Sequence, residues 1–437
     1  MSRVLLTTLG SLGDLHPLIA IGLELRQRGH AVWFCASGSH RATIESLGFD
    51  FYPLRPDLTP ENPAMAQVVK EIFDPRTGVG RLLRGYLFPE LRATYDDLMR
   101  AVAANGGADL LVSGELVYAA PLVAEKTGVR WASVTTSPFA FFSAYDPPVL
   151  PPFPELALFL RSLGLTVNRL AIGLVKLMTR TWSEPVRRLR AELGLRRGRD
   201  AVYEDRYSPQ LVLALFSPEL AEPQPDWPPN TIVTGFPFYD GSTQASSLPP
   251  DLVSFLGSGD PPIVFTLGSS AVVDPGDFYR ESAEAAWLLK RRAVLLLGKN
   301  PPPAPLPEGV VAFGYVRFSE IFARAAAVVH QGGIGTTGQA LRAGRPMVVM
   351  PYSYDQPDNG ARMVRLGVGR TIPRRRYSAK RAARELEELL TEPNYGLAAA
   401  KIGQRIQQEQ GTAAACDALE RLLSSGGEGQ RRAQSAS

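Results

Sequence analysis

The part of the sequence that most constrains the fold is His330–Thr337, which has the order His-Gln-Gly-Gly-Ile-Gly-Thr-Thr. The apolar run Ala325–Val329 before it predicts a short buried strand, and Gly338–Ala343 after it predicts the first turns of a helix. A strand, a glycine turn and a helix N-terminus form a site for an anion, because free backbone N–H groups and the positive end of the helix dipole point into the space above the turn. Glycines in the turn let the backbone approach a phosphate closely.

Polar side chains in and near this turn predict what it binds. The Thr336 and Thr337 hydroxyls can donate to phosphate oxygens, and His330 can add a further donor. Further along the chain another apolar strand ends close to Asp355 and Gln356, a carboxylate and an amide that together suit several hydroxyl groups. A lone Gly-Gly-x-Gly is most often an ordinary tight turn, but a phosphate site beside a hydroxyl-binding site predicts a pocket for a nucleotide sugar.

Four pieces of this region, in order and correctly spaced, resemble the donor signature of the family 1 glycosyltransferases, which include bacterial antibiotic and flavonoid enzymes and sterol glycosyltransferases. The family pattern is His-x-Gly-Gly-x-Gly-Thr, a helix, Ala-Gly-x-Pro, a strand and then Asp-Gln. The chain has these pieces as His330–Thr336, Ala343–Pro346, Met347–Pro351 and Asp355-Gln356. The resemblance extends from about Leu5 to about Leu423 and implies a GT-B fold, an α/β architecture in which two Rossmann-like, doubly wound domains face each other across a cleft.

Composition agrees with a soluble two-domain protein. The chain has 437 residues, of which 45% are hydrophobic and 21% charged, enough to bury two cores of ordinary size. Its 47 basic and 43 acidic residues leave a net charge of +4, without the long basic stripe and aromatics of a nucleic-acid-binding protein. The two cysteines, Cys35 and Cys416, lie far apart and predict neither a disulfide framework nor a zinc site.

The order of strand-like and helix-like segments predicts where the domains lie. We expect an N-terminal acceptor-binding domain over residues 1–240 and a C-terminal nucleotide-sugar-binding domain over 241–408, with a polar linker where they join. A helix over 409–423 should return to the first domain. Residues 424–437 are rich in Ser, Gly and Gln, which predicts a disordered tail.

Neither a signal peptide nor a membrane span is predicted. The apolar part of the N-terminus is too short for a signal peptide and predicts a first strand. The one long apolar region, Phe153–Trp182, is interrupted by polar and charged side chains and should not span a bilayer. We therefore expect a cytoplasmic protein with at most peripheral membrane contact, of unknown oligomeric state.

The loop Gly10–Pro17 follows the first predicted strand and offers a candidate base. A Rossmann dinucleotide site would require Gly-x-Gly-x-x-Gly here and an acid about 20 residues later, and the chain has neither. In the family this loop is Gly-x-x-Gly-(Asp or His)-x-x-Pro, and Asp14 stands at the position of the catalytic base. Asp14 could instead be the N-cap of a helix that starts at Leu15. His16 could line the acceptor pocket, relay a proton or simply pack, so the base is either Asp14 or His16.

The resemblance assigns further residues to the site. It implies that Ser269 and the backbone at Gly333 and Gly335 contact the diphosphate, that Tyr315 stacks on the nucleobase and that the Val316 backbone binds the base edge. An acceptor pocket formed by Phe139, Phe141 and Phe142 is predicted from their place after a strand, with plain core packing as the alternative. Glu115 is predicted to be solvated surface, with a relay that orients the base as the alternative, and His40 is predicted to be exposed.

These observations predict an inverting, metal-independent glycosyltransferase. It would move a hexose from a UDP- or dTDP-sugar to a hydroxyl of a small lipophilic acceptor, such as a polyketide, flavonoid, sterol or lipid. The nucleotide sugar is a co-substrate, and no cofactor, metal ion or nucleic-acid partner is expected. The alternatives are a nucleotide-sugar epimerase of the same architecture and a non-catalytic protein that keeps the fold.

Overall fold

The computed structural model describes residues 1–57, 68, 71–241 and 248–434, with side chains up to residue 425. Two parallel sheets organise the chain. The first has seven strands in the order β3-β2-β1-β4-β5-β6-β7. These strands are β1 (Arg3–Thr8), β2 (Ala31–Ala36), β3 (Asp50–Pro53), β4 (Leu110–Ser113), β5 (Arg130–Thr135), β6 (Leu211–Ala214) and β7 (Thr231–Val233).

Helices cover both faces of the first sheet. Along β1, Val4 and Leu6 pack in one core cluster and Leu5 in another, so the strand is buried on both sides, as expected for a parallel sheet. The helices of this part of the chain are α1 (Leu12–Gln27), α2 (Arg41–Ser46), α3 (Gly78–Arg81), α4 (Leu91–Ala103), α5 (Ala120–Thr127), α6 (Pro154–Ser162), α7 (Leu165–Thr179) and α8 (Glu184–Glu192).

The second sheet has six parallel strands in the order β10-β9-β8-β11-β12-β13. They are β8 (Ile263–Thr266), β9 (Ala293–Leu296), β10 (Val310–Phe313), β11 (Ala327–His330), β12 (Met347–Val349) and β13 (Gly369–Thr371). The accompanying helices are α9 (Pro250–Gly257), α10 (Phe278–Leu288), α11 (Phe318–Ile321), α12 (Ile334–Arg342), α13 (Gln356–Arg365), α14 (Ala379–Thr391), α15 (Pro393–Gln408) and α16 (Gly411–Gln434). The two sheets confirm the predicted pair of doubly wound domains.

Each sheet has a point where the strand order reverses, between β1 and β4 in the first and between β8 and β11 in the second. Ligands of open parallel sheets bind beyond the carboxyl ends of the strands at such points. The glycine loops singled out in the sequence follow β1, β8 and β11. The fold therefore brings the predicted site segments to the two positions where a ligand is expected.

Helix α16 packs on α1 of the first domain. The Cys416 thiol donates to the Ile21 carbonyl at 3.7 Å, and Arg28 pairs with Asp417 at 2.6 Å. The helix extends to Gln434, whereas composition predicts that the chain is disordered from residue 424. Helix α15 ends at Gln408 and α16 begins at Gly411. The returning helix therefore begins two residues after the predicted position, residue 409.

Within the described part of the chain, no helix is both long and apolar enough to cross a membrane.

Candidate active site

The loop after β1 is closed by its own side chains. Helix α1 begins at Leu12, not at the predicted Leu15, and Ser11 is its N-cap. The Ser11 hydroxyl accepts from the Gly13 N–H at 3.1 Å, and the Asp14 carboxylate accepts from the Ser11 N–H at 2.8 Å. This reciprocal pair is a capping box, so the idea that Asp14 is the N-cap is wrong: Asp14 is at the third helical position.

The close fit of this loop depends on Gly10. Its φ angle is +118°, and a Cβ placed there would lie 2.5 Å from the Asp14 carboxylate oxygen. Only glycine tolerates both the backbone conformation and that approach. The loop therefore holds the Asp14 carboxylate directly against the backbone.

Burial makes Asp14 a better base than an ordinary aspartate. The half-buried side chain loses hydration, which raises the pKa of Asp14 to about 6; the nearby Glu115 carboxylate adds to the rise and the hydrogen bond from Ser11 opposes it. The group is still mostly ionised at pH 7 and holds a proton more strongly than a carboxylate of pKa about 4.

Two histidines lie near this loop, with different surroundings. The ring of His16 meets the Tyr239 ring edge-on at 5.2 Å between centroids, and burial lowers the pKa of His16 to about 4. His40, predicted to be exposed, is only 6% exposed, because its Nε2–H donates to the Gly10 carbonyl at 3.0 Å. His40 therefore belongs to the support of the Asp14 loop, and that prediction was wrong.

Glu115 is not the solvated side chain that the sequence predicts. One carboxylate oxygen accepts from the Thr136 N–H at 2.8 Å, and the other pairs with Arg206 at 2.6 Å. Both side chains of the ion pair are mostly buried. Glu115 ties together the ends of β4 and β5, and its charge acts on the carboxylates of the cleft.

The turn after β11 has the opposite character, because no side chain caps the helix that follows. Gly333 is the N-cap of α12, and the first intrahelical bond runs from the Thr337 N–H to the Gly333 carbonyl at 2.9 Å. The N–H groups of Ile334, Gly335 and Thr336 precede that bond and have no partner within the helix. Gly335 is exposed at this end. The geometry is that of an anion site.

His330 lies beneath this turn instead of facing a ligand. Its side chain is fully buried; Nδ1 accepts from the Gly332 N–H at 3.0 Å, and Nε2 lies 3.3 Å from the Met347 sulfur. Burial lowers the pKa of His330 to about 3. The structure thus differs from the expectation of a direct donor to the diphosphate, because the ring is enclosed between β11 and β12 and holds the turn from below.

Both threonines of the turn are buried. Thr337 is fully buried, whereas Thr336 is 6% exposed. Sequence reasoning passed over Gln331, which is 3% exposed and whose amide nitrogen lies 3.5 Å from the Thr336 hydroxyl. A Cβ on Gly268, in the turn after β8, would lie 2.2 Å from that nitrogen. Gln331 therefore packs between the two glycine turns of the second domain.

Asp355 and Gln356 lie at the start of α13. Burial raises the pKa of Asp355 to about 7, and the carboxylates of Asp14 and Glu115 add to the rise. The charge of Asp14 therefore acts on Asp355, although the two residues belong to different domains. Gln356 is 4% exposed, and its amide oxygen accepts from the Tyr352 N–H at 2.8 Å.

The two glycine loops approach each other across the cleft. A Cβ placed on Gly335 would lie 4.0 Å from the Gly13 Cα. The uncapped end of α12 therefore lies opposite the N-terminal turn of α1, one residue from Asp14. The loop that holds Asp14 and the uncapped end of α12 thus border the same narrow space.

Comparison with known proteins agrees with this geometry. Residues 4–127 match the model of the glycosyltransferase family 28 N-terminal domain, and residues 294–419 match the erythromycin biosynthesis protein CIII-like C-terminal domain. The chain is 32% identical to the O-mycaminosyltylonolide 6-deoxyallosyltransferase of Streptomyces fradiae over 96% of its own length and 97% of that protein. The chain belongs to the family 1 glycosyltransferases.

Other relatives and solved structures extend this comparison. The glycosyltransferase is 27% identical to the 4'-demethylrebeccamycin synthase of Lentzea aerocolonigenes, over 97% of the chain and all of that protein. Its fold matches the glycotransferase of kitacinnamycin with a TM-score of 0.69 at 22% identity, over 97% of this chain and 99% of that one. It matches the spinosyn forosaminyltransferase with a TM-score of 0.68 at 18% identity and the same coverage. These structures show the GT-B fold.

On the donor side of the glycosyltransferase, two of the residues that the resemblance assigns to the nucleotide have exposed side chains. Tyr315 is 72% exposed, so its ring face is open for stacking, whereas the adjacent Val316 side chain is 4% exposed and can offer only backbone. Ser269 is exposed in the turn after β8.

On the acceptor side, the three candidate aromatic residues differ in their exposure. Phe141 is 7% exposed and stacks on Trp227 at 4.1 Å between ring centroids, so it is a core residue and not part of a pocket wall. Phe139 and Phe142 are partly exposed, and their rings meet edge-on at 5.5 Å. Among the three, only these two can contact an acceptor.

Proposed function

We propose that this glycosyltransferase transfers a hexose, with inversion and without a metal ion, from a UDP- or dTDP-sugar to a hydroxyl of a small lipophilic acceptor. The observation that carries the proposal is the opposition of Asp14 and the uncapped end of α12 across a narrow cleft. Inversion requires a base on one side of the anomeric carbon and a stabilised leaving group on the other. The two loops supply these two functions.

In the proposed reaction the Asp14 carboxylate accepts the proton of the acceptor hydroxyl. The acceptor oxygen attacks the anomeric carbon of an α-linked sugar as the bond from that carbon to the phosphate oxygen breaks. The nucleoside diphosphate leaves with the electron pair, and the free N–H groups at the start of α12 stabilise its new charge. For D-sugars the product is a β-glycoside.

The base assignment favours Asp14 over His16. A pKa of about 6 lets Asp14 hold the acceptor's proton more strongly than His16, whose pKa is about 4. The position of Asp14 on the capped turn also fixes its carboxylate, whereas His16 packs against Tyr239. His16 then lines the acceptor side of the cleft.

The donor contacts are proposed from the family resemblance, and the exposure of Ser269, Gly335 and Tyr315 agrees with them. Ser269 and the backbone at Gly333 and Gly335 bind the diphosphate, with His330 supporting the turn from below. Asp355 and Gln356 bind the sugar hydroxyls. Tyr315 stacks on the nucleobase, and the Val316 backbone binds its edge.

A lipophilic acceptor is favoured by the first domain. Phe139 and Phe142 lie after β5, and the neighbouring helices α6 and α7 expose Phe153, Phe159 and further apolar side chains. Relatives named for sterol and antibiotic substrates, such as the sterol 3-beta-glucosyltransferase of Leptosphaeria maculans, 26% identical over 95% of this chain and 28% of that protein, agree with this class.

One experiment tests the reaction. The purified enzyme is incubated with UDP- and dTDP-hexoses, with and without phenolic, sterol and macrolide acceptors, and the anomeric configuration of each product is determined by NMR. We expect β-glycosides from α-linked D-sugar donors at an undiminished rate in EDTA. Retention at the anomeric carbon or loss of turnover in EDTA would contradict the mechanism. Sugar isomerisation without an acceptor would instead indicate an epimerase.

A further inference from the structure

We propose that Asn359 is a positioning residue that fixes Asp355 and the donor turn relative to the acceptor-binding domain. The inference rests on the proposed function, since it assigns Asp355 to the sugar. Asn359 lies on α13 and is fully buried. Its side chain contacts three segments that the proposed reaction must align.

The three contacts use both donors and the oxygen of the amide. Its NH2 group donates to the Asp355 carboxylate at 2.7 Å and to the Gly332 carbonyl at 2.9 Å. Its oxygen accepts from the Ser137 hydroxyl at 3.3 Å. Asp355 begins α13, Gly332 forms the donor turn, and Ser137 follows β5 in the first domain. One buried amide therefore links the sugar site, the diphosphate site and the opposite side of the cleft.

An asparagine suits this place because it offers two donors and an acceptor in a fixed plane. An aspartate would present oxygens to the Gly332 carbonyl and the Asp355 carboxylate, with no proton to share. Alanine would leave buried acceptors without a donor, which is costly. The contact with Ser137 makes the amide orientation depend on how the two domains meet.

Some contacts between the domains lie away from the proposed reacting groups. On the same helix, Arg365 pairs with Asp146 of the first domain at 2.9 Å, and its side chain is 42% exposed. The Asp358 carboxylate accepts from the Val149 N–H at 3.0 Å. Arg365 is therefore a matched control, because its removal weakens the domain contact and leaves Asp355 and the donor turn intact.

The Asn359 contact also acts on the charge of Asp355. A donor to a carboxylate favours the ionised form, and here it opposes the rise in the pKa of Asp355 caused by burial and by the carboxylates of Asp14 and Glu115. Glu115 itself is paired with Arg206. Loss of the Asn359 amide should raise the pKa of Asp355 further, so the acidic limb of the pH–rate profile should move to higher pH.

The test compares wild type, Asn359→Ala and Arg365→Ala by circular dichroism and by kcat/KM for the donor between pH 5 and 9. We expect Asn359→Ala to lower kcat/KM by about ten- to hundredfold, the effect of losing one charge-assisted hydrogen bond and the neutral bonds beside it, and to move the acidic limb to higher pH. Arg365→Ala should stay within about twofold of wild type, without a shift of the limb. A folded Asn359→Ala with wild-type kcat/KM and pH profile, or an equal shift in Arg365→Ala, would overturn the proposal.

Ser137→Ala keeps the proposal testable if Asn359→Ala does not fold. It removes one neutral hydrogen bond and both donor contacts remain, so we expect kcat/KM to fall about two- to fivefold with the limb unmoved. Wild-type kinetics would show that Asn359 does not couple the domains. If the wild-type enzyme transfers no sugar to any acceptor, the proposed function fails and this inference with it; wild-type transfer with unaffected variants overturns the positioning role alone.

Discussion

The loops after β1 and β11 have the same backbone arrangement but differ in whether a side chain caps the helix that follows. Each is a strand, a glycine turn and a helix N-terminus at a switch point of its sheet. In the first, Ser11 and Asp14 cap the helix, so the chain's own carboxylate occupies the positive end of the dipole. In the second, Gly333 provides no side-chain cap. The comparison indicates that a strand–turn–helix unit can hold a base or receive an anion, depending on whether its helix caps itself.

Removing the charge from the capped loop should have the largest effect. Asp14→Asn keeps an oxygen that can accept from the Ser11 N–H, so the fold should survive. We expect turnover of an aliphatic alcohol to fall by about 100- to 10,000-fold, the usual contribution of a general base. The measurement is kcat beside a thermal melt. Near-normal turnover would show that Asp14 is not the base and would make His16 the leading candidate.

A side-chain cap on the open loop should weaken its binding of an anion. Gly333→Asp places a capping carboxylate where the diphosphate is proposed to bind, and Gly333→Ala is the control, because both add a Cβ about as close to Gln331. We expect the Asp variant to bind UDP or dTDP at least about tenfold more weakly than the Ala variant, since like charges then compete for one helix end. Calorimetric titration measures both affinities. Equal affinities would mean that the nucleotide does not use this turn.

Beneath the open loop, His330 should act as an acceptor and not as a titrating donor. His330→Ala leaves the Gly332 N–H unpaired and should raise the donor KM by about tenfold, through loss of one to two kcal/mol of turn stability. His330→Asn, whose oxygen can accept from that N–H, should recover part of the loss. With a pKa of about 3 for His330, no limb of the pH–rate profile between pH 5 and 9 should belong to this group. A limb of the wild-type pH–rate profile between pH 5 and 9 that disappears in His330→Asn would contradict the assignment of His330 as a neutral acceptor.

Removing the cap without the base should have the smallest effect. Ser11→Ala deletes the acceptor of the Gly13 N–H and the hydroxyl that donates to the Asp14 carboxylate at 3.3 Å, but keeps the stronger bond from the Ser11 N–H to that carboxylate at 2.8 Å. We expect the free energy of unfolding to fall by about 1 kcal/mol, as for other N-caps, with kcat within about threefold of wild type. Urea denaturation and steady-state kinetics measure the two quantities. A loss of activity close to that of Asp14→Asn would mean that the cap, and not the carboxylate, carries the function.

The periodicity of apolar residues and the positions of glycines predicted the fold well, because both patterns reflect local backbone geometry. The alternation of apolar runs with helical patterns predicted both sheets, and the strand–turn–helix units lie where the sequence put them. The start of α1 was missed by three residues although Ser11-x-x-Asp14 has the spacing of a capping box. That signal was in the sequence and was passed over.

Side-chain direction was predicted less well, because it is set by packing between distant segments. Phe141 and His330 stand next to site residues in the sequence, but Trp227 covers one and Met347 the other. Asn359 was missed, although it lies four residues after Asp355 and therefore on the same face of a helix. Its contact with Ser137 crosses the cleft and has no local signal.

The most direct test of the central claim, that the capped loop holds the base, is the pH dependence of kcat/KM for an aliphatic alcohol and a phenol in wild type and Asp14→Asn. With the alcohol as varied substrate and the donor saturating, so that the sugar already occupies Asp355, wild-type kcat/KM should rise with pH through about 6, where Asp14 loses its proton, and the variant should lack this rise. With the phenol, the loss in Asp14→Asn should be smaller and should shrink as the pH approaches the phenol's own pKa of about 10, because an ionised acceptor needs no base. An equal loss for both acceptors at every pH would contradict the assignment of Asp14 as the base.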